Sequence, residues 1–133
     1  MRRREDGTIT VMTIGFLLFI GFLAVVVVNS SAAFLQRQQL DNLADGAALA
    51  AADGLSRDTF YGQGEITLDD GQARRLIADY VTEPGTHVVE VRTDDDRVHV
   101  RLERTIGLAL KPPGWSSRTT IVSEATAQLR TSE

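Results

Sequence analysis

Cysteine is absent from the 133 residues, which removes disulfides, thiolate metal ligands and thiol nucleophiles together. Lysine is nearly absent: Lys111 stands alone against thirteen arginines, a usage that fits GC-rich bacterial codons and carries no mechanism. Charge is missing over a whole stretch, because residues 8–36 contain no Asp, Glu, Lys or Arg. Positive charge is also scarce downstream. Beyond residue 28 the chain holds eleven basic and sixteen acidic residues, an acidic balance that excludes a nucleic-acid surface. With no disulfides, whatever folds there must rest on its core or on neighbours.

What fills the uncharged stretch is apolar. Residues 14–28 read IGFLLFIGFLAVVVV, and residues 8–28 reach the roughly 20 residues that a membrane-spanning helix needs. Thr8, Thr10 and Thr13 are compatible with it, since helical threonines bond back to the carbonyls of the preceding turn. Arg2, Arg3 and Arg4 precede the run, so the basic side stays in the cytoplasm and everything after Val28 lies across the membrane. A second reading treats the run as a signal peptide cut near Ala32, where Ser30-Ser31-Ala32 has the small-x-small pattern. It would release a small secreted binding module. Length favours the retained helix, and so does the helical pattern continuing through the cut point.

From residue 29 to 53 there is no proline, and the residues are strong helix formers. Leu40, Leu43, Ala47 and Ala50 recur at three- and four-residue steps, a face suited to close packing against other helices. Gly54 stands where a C-cap would end the helix. Residues 55–68 read as a polar, Gly-rich connector whose Phe60-Tyr61 pair either docks on the core, the commoner outcome, or faces a partner. Asp69 then caps a second helix, with Gln72 completing a capping box and Ala73, Leu76, Ile77, Tyr80 and Val81 forming its apolar face. Pro84-Gly85 ends it.

The remainder reads as strands. Residues 87–92 and 97–106 flank the polar turn 93–96, with Val89 and Val91 inward opposite Val98, Val100 and Leu102. His99, Arg101 and Glu103 point to solvent. Residues 111–114 break the pattern, and a last strand over 120–130 puts Ile121, Ser123, Ala125, Ala127 and Leu129 on one small-residue face. Helix followed by antiparallel sheet gives an α+β domain.

No constellation carries chemistry. His87 and His99 fall on opposite parities of the hairpin and have no third metal ligand at usable spacing. Asp94-Asp95-Asp96 lacks the Gly and terminal Glu of a calcium loop. Neither a G-x-S-x-G elbow nor a glycine-rich phosphate cradle occurs. The expectation is a protein with no catalytic residues, no cofactor, no metal and no small-molecule substrate.

The N-terminal half has a recognisable order. Residues 4–11 (REDGTITV), the apolar run, and residues 38–52 (QQLDNLADGAALAAA) together resemble the TadE/TadG-like family of Flp (tight-adherence) pilus-assembly proteins. Leu40, Asn42, Ala44, Asp45 and residues 47–52 match that family's L-Q-x-A-A-D-A-A-A-L-A-A motif, with Gly46 where Ala is usual. The close of the chain, residues 122–130, is similar to a V-x-A-x-A-x-A ending in the same family. The resemblance implies a component of a pilus or secretion apparatus, with pilus-assembly or pilin-like subunits and membrane lipid as partners. It also points to Gly7 and Thr8 as the one candidate processing junction. There the chain departs from the processed pattern, because a cut after Gly7 puts Met12 fifth, where a membrane-buried Glu is common. An intact anchored chain is therefore expected. Its expected organisation is a basic cytoplasmic leader over 1–7, a transmembrane helix over 8–28, an Ala-rich helical extension over 29–54, and an exported α+β domain over 55–133. The expected location is a bacterial inner membrane, single-pass, with the N-terminus inside.

Overall fold

The computed structural model describes residues 5–61, 69–94, 96–111, 113–114 and 116–129. Two helices precede three strands: α1 (Glu5–Tyr61), α2 (Asp70–Tyr80), β1 (Thr86–Asp94), β2 (Arg97–Gly107) and β3 (Arg118–Gln128). The strands form one antiparallel sheet in the order β1-β2-β3. The α+β class read from the sequence is the observed one.

Helix α1 is a single element of 57 residues, about 85 Å at 1.5 Å per residue. Residues 7–24 of it are exposed throughout. Ile9, Val11, Met12, Phe16, Leu17, Leu18 and Phe19 are all exposed, although the run is the most apolar in the chain. Its second half lies on the sheet and on α2. The expected stop at Gly54 is not observed. The helix continues to Tyr61, because Leu55 is buried in the core and Ser56 Oγ donates to the Ala52 carbonyl at 2.8 Å. Tertiary burial thus overrides the glycine's tendency to end a helix. The connector accordingly starts after Tyr61. Residues 62–68 and the side chains of Phe60 and Tyr61, for which docking was expected, lie outside the described set.

Asp69 caps α2 as its sequence suggests, its carboxylate accepting from the Gly71 amide at 2.8 Å. Ala73 and Ile77 are buried, and Leu76 and Val81 pack against the same core. Gly85, at φ +75°, makes the turn into β1 in a conformation that disfavours a Cβ.

The hairpin of β1 and β2 differs from expectation in one respect with two consequences. A bulge between Val88 and Glu90 shifts the register, pairing Val88 with Leu102 and His87 with Glu103. The inward residues of β1 are therefore Val88 and Val91, while Val89 is 45% exposed. The parity assigned to the histidines also changes. His87 now shares the outer face with His99, four β2 positions away, or about 13 Å at strand spacing. In β2 the residues Val98, Val100, Leu102 and Ile106 face the core, and in β3 Ser123 and Ala125 do so, with Leu129 buried just past the strand's end.

Candidate functional site: a helix bound to its own sheet

The packing face on α1 sits at the centre of the molecule. Leu40 and Ala47 are fully buried, Leu43 packs against the core from its edge, and Ala50 is half-buried. Ala44, Ala48, Ala51 and Ala52 complete the buried surface. These methyl-sized side chains let the helix backbone lie close to β2 and β3, and the facing small residues Ser123 and Ala125 do the same from the sheet. The seam is thus filled by this chain's own sheet and α2.

Two glycines shape the contact with α2. A Cβ on Gly46 would overlap the Tyr80 hydroxyl and lie 3.0 Å from the ring carbon Cζ. A Cβ on Gly54 would lie 2.7 Å from Leu76 Cδ1. The glycine at position 46, where the family pattern has alanine, is matched to a tyrosine on the neighbouring helix. Gly46→Ala should gain about 1 kcal/mol of helix propensity and lose a comparable amount by displacing Tyr80. In the background of Tyr80→Ala only the gain remains. Thermal unfolding of the four variants should therefore show Gly46→Ala as stabilising only when Tyr80 is absent, and additive effects would contradict the match.

Polar ties fasten the sheet to the two helices at successive levels. Asn29 meets the 107–118 loop twice, its Nδ2 donating to the Leu110 carbonyl and its Oδ1 accepting from the Leu110 amide, both at 2.8 Å. Further along, Arg104 lies on the core face of β2, only 6% exposed. Its Nε donates to Thr86 Oγ1 at 2.7 Å, its Nη2 pairs with the Glu83 carboxylate, and Nη1 lies 3.5 Å from Gln36 Oε1. Beyond that, Ser123 Oγ donates to Asp41 Oδ1 at 2.5 Å. At the far end, Asp70 at the start of α2 accepts from both the amide and the hydroxyl of Thr93. Those bonds, with a smaller pull from Arg74, hold the Asp70 carboxyl below its usual range. This tie is complete above the ordinary carboxylate pKa and is lost as pH falls through the lowered one.

The outer face of the sheet is charged and carries three polar pairs. Arg92 meets Glu90 at 2.5 Å, Arg101 meets Glu124 at 3.3 Å, and His99 Nδ1 lies 2.8 Å from Thr126 Oγ1. Among the described residues no group of three His, Asp or Glu side chains could hold a metal ion. Gly7 and Thr8 lie in the first turns of α1, exposed. The helix also runs unbroken across Ala32 and Ala33.

This architecture defines a class: a small α+β domain built directly onto the distal half of a helix whose proximal half is apolar on every side. Among the described residues one helix, within Gly7–Ser56, is long and apolar enough, by length and composition, to cross a membrane. Residues 7–54 match the TadE/G-like Flp pilus-assembly family, which bears out the resemblance drawn from the motif. No curated protein and no solved structure matches the chain. The matched segment contains both halves of α1's role, the apolar run and the alanine face that receives the sheet. Sequence reasoning missed Arg104, although its parity with Val98, Val100 and Leu102 placed it on the core face.

Proposed function

We propose that this protein is a non-enzymatic, membrane-anchored component of a Flp/Tad-type pilus or secretion assembly. The observation that carries the reading is α1 itself, whose family-matched segment joins an exposed apolar run to a helix face that holds a folded domain. A contiguous apolar surface of that size is unsuited to water and suited to lipid. In the bilayer, residues 8–28 span with the N-terminus in the cytoplasm, and the α+β domain lies outside an inner membrane. There it meets other pilus-assembly or pilin-like subunits through surfaces that its own fold leaves open. Its work is positional, so it needs neither substrate nor cofactor.

The alternative, release by signal peptidase near Ala32, is disfavoured by a specific contact. Cutting there removes Asn29 and leaves Leu110 without the side chain that holds it. The chain is also proposed to remain uncut between Gly7 and Thr8, since Met12 supplies no carboxylate to pair with a new amine.

Carbonate extraction combined with intact-mass measurement tests the reading. The full chain should stay with the membrane, and a reporter fused behind residue 133 should be active only outside the cytoplasm. A soluble species beginning at Ala33 would replace this reading with the secreted module. A cytoplasmically active reporter would reverse the topology.

A further inference from the structure

We propose that the β2–β3 loop is a second membrane contact, in which Leu110 enters the lipid headgroup layer and Lys111 meets lipid phosphate. The inference rests on the anchored reading above and adds a site to it. Asn29 is the first polar residue after the apolar run, directly following Val28. If residues 8–28 fill a hydrocarbon core of about 30 Å, Asn29 falls in the headgroup layer, which adds roughly 5–7 Å on each side. Phe34 and Leu35, exposed by 66% and 58%, lie about one and a half turns further out, at the outer margin of that layer.

The loop cannot lie far from this level, because both backbone groups of Leu110 are bonded to Asn29. A backbone bond from the Leu108 amide to the Ser117 carbonyl at 3.0 Å closes the loop at its base. The strand direction agrees, since β2 runs from Arg97 towards Gly107 while its contacts on α1 step back from Gln36 to Asn29. The chemistry of the tip is that of an interface. Leu110 is 44% exposed, and Lys111, Pro113 and Gly114 are exposed beside it. The side chain of the only lysine in the protein is therefore available where anionic headgroups lie. An apolar side chain buried at the acyl boundary with a cation beside it is how peripheral segments hold anionic membranes. The loop adds no new fold. It lets the domain rest on the bilayer as well as hang from it.

The absence of cysteine makes the test clean. The full chain carrying Leu110→Cys, Phe19→Cys or Leu49→Cys is labelled with an environment-sensitive fluorophore and reconstituted in phosphatidylcholine–phosphatidylglycerol vesicles. Quenching is measured with nitroxides placed at the headgroup or deep in the acyl chains. The label at position 19 should respond to the deep nitroxide. That at 110 should respond to the headgroup nitroxide several-fold more than the one at 49, and Lys111→Glu should reduce this response. Equal quenching at 110 and 49, with position 19 still quenched, overturns the loop contact and leaves the anchor standing. No quenching at position 19 overturns the anchored reading and the loop contact with it.

Discussion

Replacing Leu40 with aspartate should unfold the α+β domain while leaving the chain in the membrane. Leu40 has no exposed surface and is among the largest fully buried side chains. Removing a buried leucine costs about 2–5 kcal/mol, and an unpaired buried carboxylate adds several kcal/mol or takes up a proton. Small domains have about 5–15 kcal/mol in total, and this one has no disulfide to fall back on. The apolar run at residues 8–28 is untouched, so partitioning into lipid should not change. Leu49→Asp is the matched control, because Leu49 is 52% exposed on the same helix and surface changes usually stay within about 0.5 kcal/mol. Limited proteolysis in detergent micelles reads both variants. Rapid loss of the region after residue 61 in Leu40→Asp alone is expected, and equal resistance of the two would mean that α1 is not the centre of the core.

Glu83→Ala should cost about 1.5–3 kcal/mol, the range for stranding a charged, buried hydrogen-bonding group. The Arg104 side chain is 8% exposed, whereas Glu83 is 52% exposed. The carboxylate can therefore return to water, but the guanidinium cannot. Without Glu83 it keeps Thr86 and the long approach to Gln36. The asymmetry sets the sign of a second comparison. Adding Arg104→Met to Glu83→Ala should restore much of the loss, because an apolar side chain of similar reach suits that environment better than an unpaired cation. Urea midpoints of the full chain in micelles measure this. A double variant weaker than Glu83→Ala would show that Arg104 is held by something other than its acidic partner.

Several elements were legible because local and tertiary signals agree. The apolar run, the Asp69 cap and the small-residue face of β3 follow from composition, capping chemistry and the two-residue period of a strand. Where they were misread, a distant contact decided the outcome. Gly54 looks like a helix stop until Leu55 is seen in the core and Leu76 over the glycine. The bulge at Val88 and Glu90 leaves no mark in an alternating pattern, yet it reverses the face of every β1 residue before it. The Ala/Leu face of α1 was readable as a packing surface, but its occupant was not, because periodicity identifies a buried stripe without saying what covers it. Gly46 was visible only as a departure from a motif, and Tyr80 supplies its reason.

Because α1 has no hinge between the apolar run and the sheet, the domain turns with its anchor. The ties at Asn29, Gln36 and Asp41 fix the sheet's azimuth around the helix, so if the apolar run is anchored in lipid as proposed, whichever side of the rod faces a neighbour there also selects the direction in which each domain face points. The rod magnifies as well. Residues 29–61 extend about 50 Å beyond the apolar run, so a tilt of roughly 10° at the membrane would sweep the far end through about 9 Å. On that anchored reading, a neighbour's displacement inside the bilayer would reach the far end of the rod as a swing of the domain, with no change in its internal structure.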